Sequence, residues 1–393
     1  MSSATPVADR SYDIVVLGAT GFTGALTAEY LASNAPAGTR WALAGRNQGK
    51  LKEVRRRLGE GWADLPLLRA DVSDPDSLRD IAEAARVVIT TVGPYIRYGE
   101  PVVAACAAAG TAYVDLTGEP EFADRMWLGY HERAVETGAR IVHSCGFDSI
   151  PYDLGALFTV QQLPEDVPIS LEGFMRVNAA ISGGTYQSTI EILSRLRSSA
   201  KLARERRSRE GDPAGRRVKG VSGRPHPDEF AGGWVVPFPT IDPQTVLRSA
   251  RALDRYGPDF SYSHYAVAGP LPMMVGLGVA AGTTVALAQI PPAREMMLKL
   301  MSSGDGPSEA KRADSWFRVR FEARSGERRV RTQVSGGDPG YGETSKMLAE
   351  SALCLAFDDL PQRAGQLTPA VAMGDSLRQR LQAAGIRFEV LDG

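Results

Sequence analysis

The chain is poor in the residues that build disulfide frameworks and metal centres. It has three cysteines, Cys106, Cys145 and Cys354, and four histidines among 393 residues. An odd number of widely spaced cysteines with no Cys-x-x-Cys pair argues against a disulfide scaffold and a zinc site, so reduced thiols in a cytoplasmic protein are expected. The chain also lacks charge of one sign: 45 Lys and Arg oppose 46 Asp and Glu, for a net charge of -1. Such balance exerts no whole-molecule pull on nucleic acid, and no nucleic-acid partner is expected. Met1 to Asp13 is polar, without the apolar core of a secretory leader. No period of the kind that builds solenoids is visible. What remains is ordinary globular composition, 43% hydrophobic and 23% charged, with length enough for two domains.

The most informative feature is an apolar run, Tyr12 to Leu17, that meets Gly18-Ala19-Thr20-Gly21-Phe22-Thr23-Gly24 and then a helix-like stretch from Ala25 to Ser33. Strand, glycine turn and helix start together place a pyrophosphate on a helix N-terminus. Gly18 turns the backbone off the strand, Gly21 removes a Cβ from the phosphates, and Gly24 lets helix and strand pack closely. The second strand, Arg40 to Arg46, lacks the terminal carboxylate that selects NAD. It ends instead in Gly45-Arg46-Asn47, with Lys50 one turn into the next helix. A guanidinium forms charge-assisted bonds to a 2′-phosphate and stacks on adenine, so the expected cofactor is NADP(H).

Beyond Arg46, helices and strands alternate: Leu51 to Leu58, Pro66 to Ala70, Asp74 to Ala85, Val87 to Val92, Gly99 to Ala109, Ala112 to Leu116, Glu119 to Thr137 and Arg140 to Ser144. This predicts an α/β domain with a doubly wound parallel sheet, a Rossmann domain over residues 1–150. Later periodicity differs. Ile169 to Ala179 alternates as a strand, Gly184 to Arg207 repeats as a helix, and Trp316 to Ala323 with Arg328 to Val334 form a hairpin across Ser325-Gly326-Glu327. A helix over Glu343 to Phe357, a last helix from Pro369 to Ala384 and a last strand from Arg387 to Leu391 follow. The expectation is an inserted α+β substrate or lid domain over 151–360, with the segment 361–393 returning to the nucleotide domain.

Six ordered motifs now make a resemblance specific: Gly18-Ala-Thr-Gly-Phe-Thr-Gly24, Ala44-Gly-Arg46, Val92-Gly-Pro-Tyr95, Tyr113-Val-Asp-Leu-Thr-Gly-Glu119, Cys145-Gly-Phe-Asp-Ser-Ile-Pro151 and Leu367-Thr-Pro369. They resemble the saccharopine dehydrogenase-like oxidoreductases, and within that group the actinobacterial trans-acting enoyl reductases that work with polyketide synthases on complex lipids. The resemblance implies that Gly18, Thr20, Gly21, Phe22, Thr23 and Gly24 hold the diphosphate, and that Arg46, Asn47 and Lys50 hold the 2′-phosphate. It places Asp71 beside adenine, and Val92, Gly93, Pro94 and Tyr95 along the ribose and nicotinamide.

Hydride transfer also needs a group that supplies a proton or polarises the acceptor. Tyr95, Asp115, Glu119, His143, Cys145, Asp148 and Ser149 lie near the sheet's carboxyl edge, and Tyr95 and Asp148 are the expected catalytic pair. Alternatives stand beside them: Asp148 as a cap of the helix near Ile150, and His143 as a core residue. Short-chain dehydrogenase chemistry is excluded, because no tyrosine has a lysine four residues on. An acylated Cys145 is disfavoured, because no adjacent cation activates it. The expected reaction is reduction of an enoyl thioester, with carbonyl or imine reduction as the alternative enzyme and a cofactor-binding, lipid-associated protein without turnover as the non-enzyme alternative.

Two segments bear on partners. Arg195 to Arg224 holds eleven Lys and Arg against three acidic residues, a surface for a carrier protein, a coenzyme A phosphate or an anionic membrane. Phe260 to Ala293 has no Asp, Glu, Lys or Arg. Its centre, Leu271 to Ile290, has the length of a bilayer span, but its glycines, threonines and bracketing prolines favour an apolar wall for an acyl or polyketide chain, or peripheral membrane contact, with a plain core helix as the alternative.

Overall fold

The computed structural model describes residues 9–179, 189–192, 194–238, 240–298 and 312–391. These divide into two compact units: residues within 1–147 and 341–381 form the first, and residues within 148–340 and 382–391 form the second.

The first unit is built on strands β1 (Tyr12–Leu17), β2 (Trp41–Gly45), β3 (Leu67–Arg69), β4 (Ala85–Thr90), β5 (Ala112–Val114), β6 (Arg140–Val142) and, from much later in the chain, β14 (Gly365–Leu367). They form one sheet in the order β14-β6-β5-β4-β1-β2-β3, every pair parallel. Ile14 to Leu17 and Val87 to Ile89 are wholly buried, the unbroken apolar run of a strand covered on both faces. Helices Phe22–Asn34, Gln48–Arg57, Pro75–Ala84, Glu100–Ala109 and Pro120–Thr137 connect the strands. The third of these begins where an Asp-Pro pair dictates: Asp74 accepts from the Ser77 N–H and Pro75 occupies the first turn. The order 3-2-1-4-5-6 reverses between β1 and β4, and ligands of doubly wound sheets bind in the crevice at that reversal.

Two expectations about the chain's later part are corrected. Helix Gly342–Phe357 belongs to the first unit, where it packs on β1, β4, β5 and helix Phe22–Asn34. It buries Met347, Leu348, Leu353 and Cys354, an apolar load that covers an otherwise open sheet face. The final strand, β15 (Arg387–Leu391), pairs antiparallel with β13 (Arg328–Gly336) of the second unit, with Val334 opposite Phe388. The helix expected from Pro369 to Ala384 is two, Pro369–Ala372 and Gly374–Ala383.

The second unit completes the strand set with β7 (Ile169–Asn178), β8 (Arg217–Gly220), β9 (His226–Asp228), β10 (Gly233–Pro237), β11 (Asp259–Gly269) and β12 (Trp316–Ser325). Its sheet runs β15-β13-β12-β7-β11-β10-β9, with β8 also on β11. The β7–β11 and β8–β11 pairs are parallel and the rest antiparallel. The uncharged stretch from Phe260 is therefore a strand and a helix, β11 and Leu271–Ala288, not one segment. That helix exposes Leu271 (46%) and Met273 (57%), with Ile290 just beyond it 51% exposed, and buries Ala288 against Ile190 and Met297. Among the described residues no helix is long and apolar enough to cross a membrane. Residues 184–188 of the expected helix lie outside the described residues; Leu196–Glu210 is helical.

Candidate functional site

At the reversal point, Gly18 leaves β1 with φ +89°, and an added Cβ there would lie 2.8 Å from both Thr91 Oγ1 and Val92 Cγ2. Only glycine fits that backbone and that space. Gly24 is constrained differently: its Cβ would meet the Gly18 carbonyl oxygen at 2.3 Å, so helix Phe22–Asn34 approaches the turn as closely as backbone allows. At Gly21 a Cβ would meet nothing nearer than the Gly18 oxygen at 3.4 Å. The protein's own atoms therefore do not demand glycine there. No side chain caps this helix and its first turn holds no acid, leaving the positive end of the dipole to an anion. The Phe22 ring is turned away from that role, edge-on to Tyr341 at 4.6 Å. Thr20 and Gly21 are exposed and Thr23 half-buried.

Beyond β2, Arg46, Asn47 and Lys50 are all exposed. Asn47 caps helix Gln48–Arg57, its Oδ1 accepting from Lys50 N at 3.0 Å, which leaves its amide N–H2 as the group that can donate to an anion. Asp71, past β3, accepts from the Ser73 N–H and hydroxyl. Those bonds, then the charges of Arg46 and Arg69, hold its carboxyl below the usual range. Val92 and Pro94 are half-buried at the end of β4, Gly93 is exposed, and the Gly93–Pro94 peptide is cis.

Tyr95 does not face outward. Its ring is buried against Phe122, its hydroxyl donates to the Thr90 carbonyl at 3.1 Å and accepts from Leu116 N at 3.2 Å. Burial, with Asp115 nearby, pushes its pKa well above the ordinary value. The expectation of a catalytic Tyr95 is corrected: its proton is committed to a backbone carbonyl, and its own N–H, with that of Ile96, is bound by Glu119. Asp115 is similarly absorbed, accepting from Tyr113, Thr117 N, Ser144 N and His143 Nδ1, the last at 2.6 Å. Ser144 adopts φ +60° as it turns towards Asp115. His143 lies edge-on to Tyr113 and Phe122, the core position. Cys145 is buried.

In the second unit, Asp148 is half-buried and does not cap helix Ile150–Val160. The cap position is Ser149, and its hydroxyl bonds no helix N–H. It donates instead to Asp242 Oδ1 at 2.9 Å and lies 3.2 Å from Thr245 Oγ1. Asp242 opens helix Asp242–Ala252, is 1% exposed, and takes a second bond from the Thr240 hydroxyl on Oδ2. His264 of β11 stands 3.9 Å from that Oδ2 through Nε2, while its Nδ1 is 2.9 Å from the Tyr262 hydroxyl. Tyr152 is edge-on to the same imidazole at 5.1 Å. Burial first, and for Asp242 also the Asp148 charge, raises both carboxyls above the ordinary range. Burial alone lowers His264 to about 3. Sequence reasoning missed Asp242 and His264. The Asp-Pro start at 242 marks a helix, but nothing in the sequence brings it to Ser149, 93 residues away.

Residues 14–142 match the saccharopine dehydrogenase NADP-binding domain. In fold the chain is similar to apo saccharopine dehydrogenase (L-Glu forming) from Saccharomyces cerevisiae, with TM-score 0.57 and 12% identity over 96% of this chain and 99% of that one. A Mycobacterium tuberculosis relative bearing the trans-acting enoyl reductase name is 41% identical, over 98% of this chain and 98% of its own. The trans-acting enoyl reductase of Mycobacterium bovis is 38% identical over 96% and 97%, and that of Mycobacterium ulcerans 36% identical over 96% and 97%. With such identity along nearly its whole length and an NADP-binding domain at its start, this oxidoreductase chain belongs to the family of the trans-acting enoyl reductases.

Proposed function

We propose that this chain reduces the carbon–carbon double bond of an enoyl thioester with NADPH, acting in trans on a polyketide or fatty acyl chain carried by a carrier protein or coenzyme A. The observation that carries the reading is the 38–41% identity to trans-acting enoyl reductases across both domains, not the nucleotide domain alone. The backbone from Gly18 to Gly24 receives the diphosphate, Arg46 and Lys50 the 2′-phosphate, Asp71 borders adenine, and Val92 to Pro94 border the nicotinamide ribose. Bound NADPH supplies the hydride for the β-carbon. The chain must then stabilise an enolate and protonate its α-carbon.

The exposed Lys201, Arg204 and Arg207 of helix Leu196–Glu210 suit an acidic carrier or synthase partner. The exposed Leu271, Met273, Ile290 and Met296 suit an acyl chain or peripheral contact with a membrane surface. The test is loss of NADPH absorbance with enoyl thioesters of graded length, keto acids and imines. Enoyl thioesters should turn over fastest, with gains of about 0.8 kcal/mol per added methylene until the binding surface is filled. Faster turnover of short, polar imines would overturn the reading.

A further inference from the structure

We propose that one face of the second unit's sheet binds phosphate: the row Arg176, Arg318 and Arg387 is a site for a soluble phosphate ester or diphosphate. The proposal goes beyond the enoyl reductase reading and is tested without turnover.

Strand alternation decides which residues share this face. In β12, Phe317, Val319 and Phe321 are buried, with Phe321 so close to helix Ile150–Val160 that a Cβ on Gly155 would lie 2.4 Å from its ring. Arg318 and Arg320, between them, belong to the opposite face. Register then carries the row across four strands: Arg176 of β7 is opposite Arg318, Arg318 opposite Ser335 of β13, and Ser335 opposite Arg387 of β15. Three positions are arginine and the fourth is a hydroxyl. Residues directly opposite on an antiparallel pair bring their Cβ atoms within about 4.5–5.5 Å, where like charges destabilise the sheet.

Elsewhere on the same face the chain neutralises its arginines. Glu322, 4% exposed, pairs with Arg324 and Arg331 and lies 3.7 Å from Arg329. The row has no such centre: among the described residues Arg176, Arg318 and Arg387 pair with no carboxylate. Arg318 lies over the Trp316 ring at 5.6 Å, and Arg387 Nε donates to Ser335 Oγ at 3.3 Å. Glu389, next on this face of β15, accepts instead from Gln333 Nε2 at 3.3 Å. Arg320, which donates to the Phe230 carbonyl and to Gln333 Oε1, has its pKa lowered by burial first and then by the charges of Arg318 and Arg176. A local rule broken without compensation inside the chain is expected where function requires it.

The donor set selects the occupant. Guanidinium forks suit planar, two-point recognition of oxyanions, and a phosphate carries about two negative charges and three acceptor oxygens, against one charge and two oxygens on a carboxylate. Arg387 stands two strands from Arg318, about 10 Å away, a gap that two long side chains close on a diphosphate. Arg176 and Arg387 are exposed, whereas Arg318 and Arg320 are half-buried beside Trp316 and Phe230. A small soluble group reaches such a recess, and a flat lipid surface does not.

The experiment titrates inorganic pyrophosphate into the full chain saturated with NADPH, at constant ionic strength, so that the nucleotide site is already filled. Calorimetry should show binding that the Arg176→Gln, Arg318→Gln pair weakens roughly ten- to a hundredfold, as loss of hydrogen bonds between charged groups does, with NADPH affinity unchanged. Arg328→Gln, which removes an exposed arginine of the β12–β13 hairpin outside the row, should bind as the unsubstituted chain does. The Arg176→Lys, Arg318→Lys pair keeps the charge without the fork and should lose several-fold. Pyrophosphate should also raise the melting temperature of the unsubstituted chain and leave that of the glutamine pair in place, a readout that stands even where the variant is less stable. No binding to the NADPH-saturated chain, or binding untouched by the glutamine pair, would overturn the site. Full binding by the lysine pair would reduce it to a diffuse positive field, and a fall in NADPH affinity in the glutamine pair would place the row in the nucleotide site; either result overturns it as well. Sedimentation with phosphatidylglycerol vesicles that depends on the row, without pyrophosphate binding, would assign the arginines to a lipid surface instead.

Discussion

At the scale of single residues, what the sequence revealed depends on whether a constraint is local. Gly18 and Gly24 were legible because their demands are set by backbone within seven residues of each other and by the strand end beside them: a positive φ in one case, a carbonyl oxygen 2.3 Å from the missing Cβ in the other. The position of Arg46 just beyond β2, with its side chain exposed, was legible because a strand end fixes where that side chain starts. Tyr95 was misread, since position alone cannot say whether a ring turns to solvent or to Phe122. Arg10 went unseen, although its buried guanidinium binds the carbonyls of Ala85 and Ala109 and the Thr111 hydroxyl. Those partners lie 75 to 101 residues away, where only the fold brings them. In the proposed reading, cofactor choice turns on Arg46. Arg46→Ala should weaken NADPH binding by about 1.5–3 kcal/mol, the range for a hydrogen bond to a charged group, and leave NADH nearly unaffected. Calorimetric titration with both nucleotides measures this, and equal affinities in the unsubstituted chain would refute the assignment.

At the scale of elements, the parallel sheet was readable because each of its strands is an apolar run bounded by turn residues and followed by a helix. The second unit was not, because β8, β9 and β10 are short, half-exposed strands of five residues or fewer that carry no alternation long enough to register. Helix Leu196–Glu210 shows the gap between counting charges and placing them. Arg206 is buried and bonded to Glu210, and Arg209 is paired with Glu205, so neither belongs to a docking face. Among the described residues, Lys201, Arg204 and Arg207 are the exposed cations of the helix that are not paired with a carboxylate. Reversing these three to Glu should slow turnover of a carrier-bound thioester several-fold at low salt and spare a small free thioester, with the difference shrinking as ionic strength rises. A loss that is equal for both substrates and indifferent to salt would remove this helix from partner recognition.

At the scale of the whole molecule, the described residues change unit three times along the chain, after residues 147, 340 and 381. The first unit is therefore not its own N-terminal segment. Residues 1–147 lack β14, the edge strand that pairs with β6 through Gln366 and Ile141, and lack helix Gly342–Phe357. That helix buries Met347, Leu348 and Leu353 completely. At about 1.5–3 kcal/mol for each large apolar side chain, the three contribute roughly 5–9 kcal/mol, against a domain's typical net stability of about 5–15 kcal/mol. A fragment ending at Phe147 should accordingly fail to fold cooperatively. Joining 1–147 to 341–381 through a short Gly-Ser linker should restore the unit, because Phe147 N already bonds Thr344 Oγ1 at 3.1 Å and the ends to be joined are neighbours. The measurements are a thermal transition followed by near-ultraviolet circular dichroism and NADPH binding by calorimetry. The linked chain should show both and the fragment neither. A cooperative transition and nucleotide binding in the bare 1–147 fragment would mean that the helix is an accessory cover, not a structural wall of the nucleotide unit.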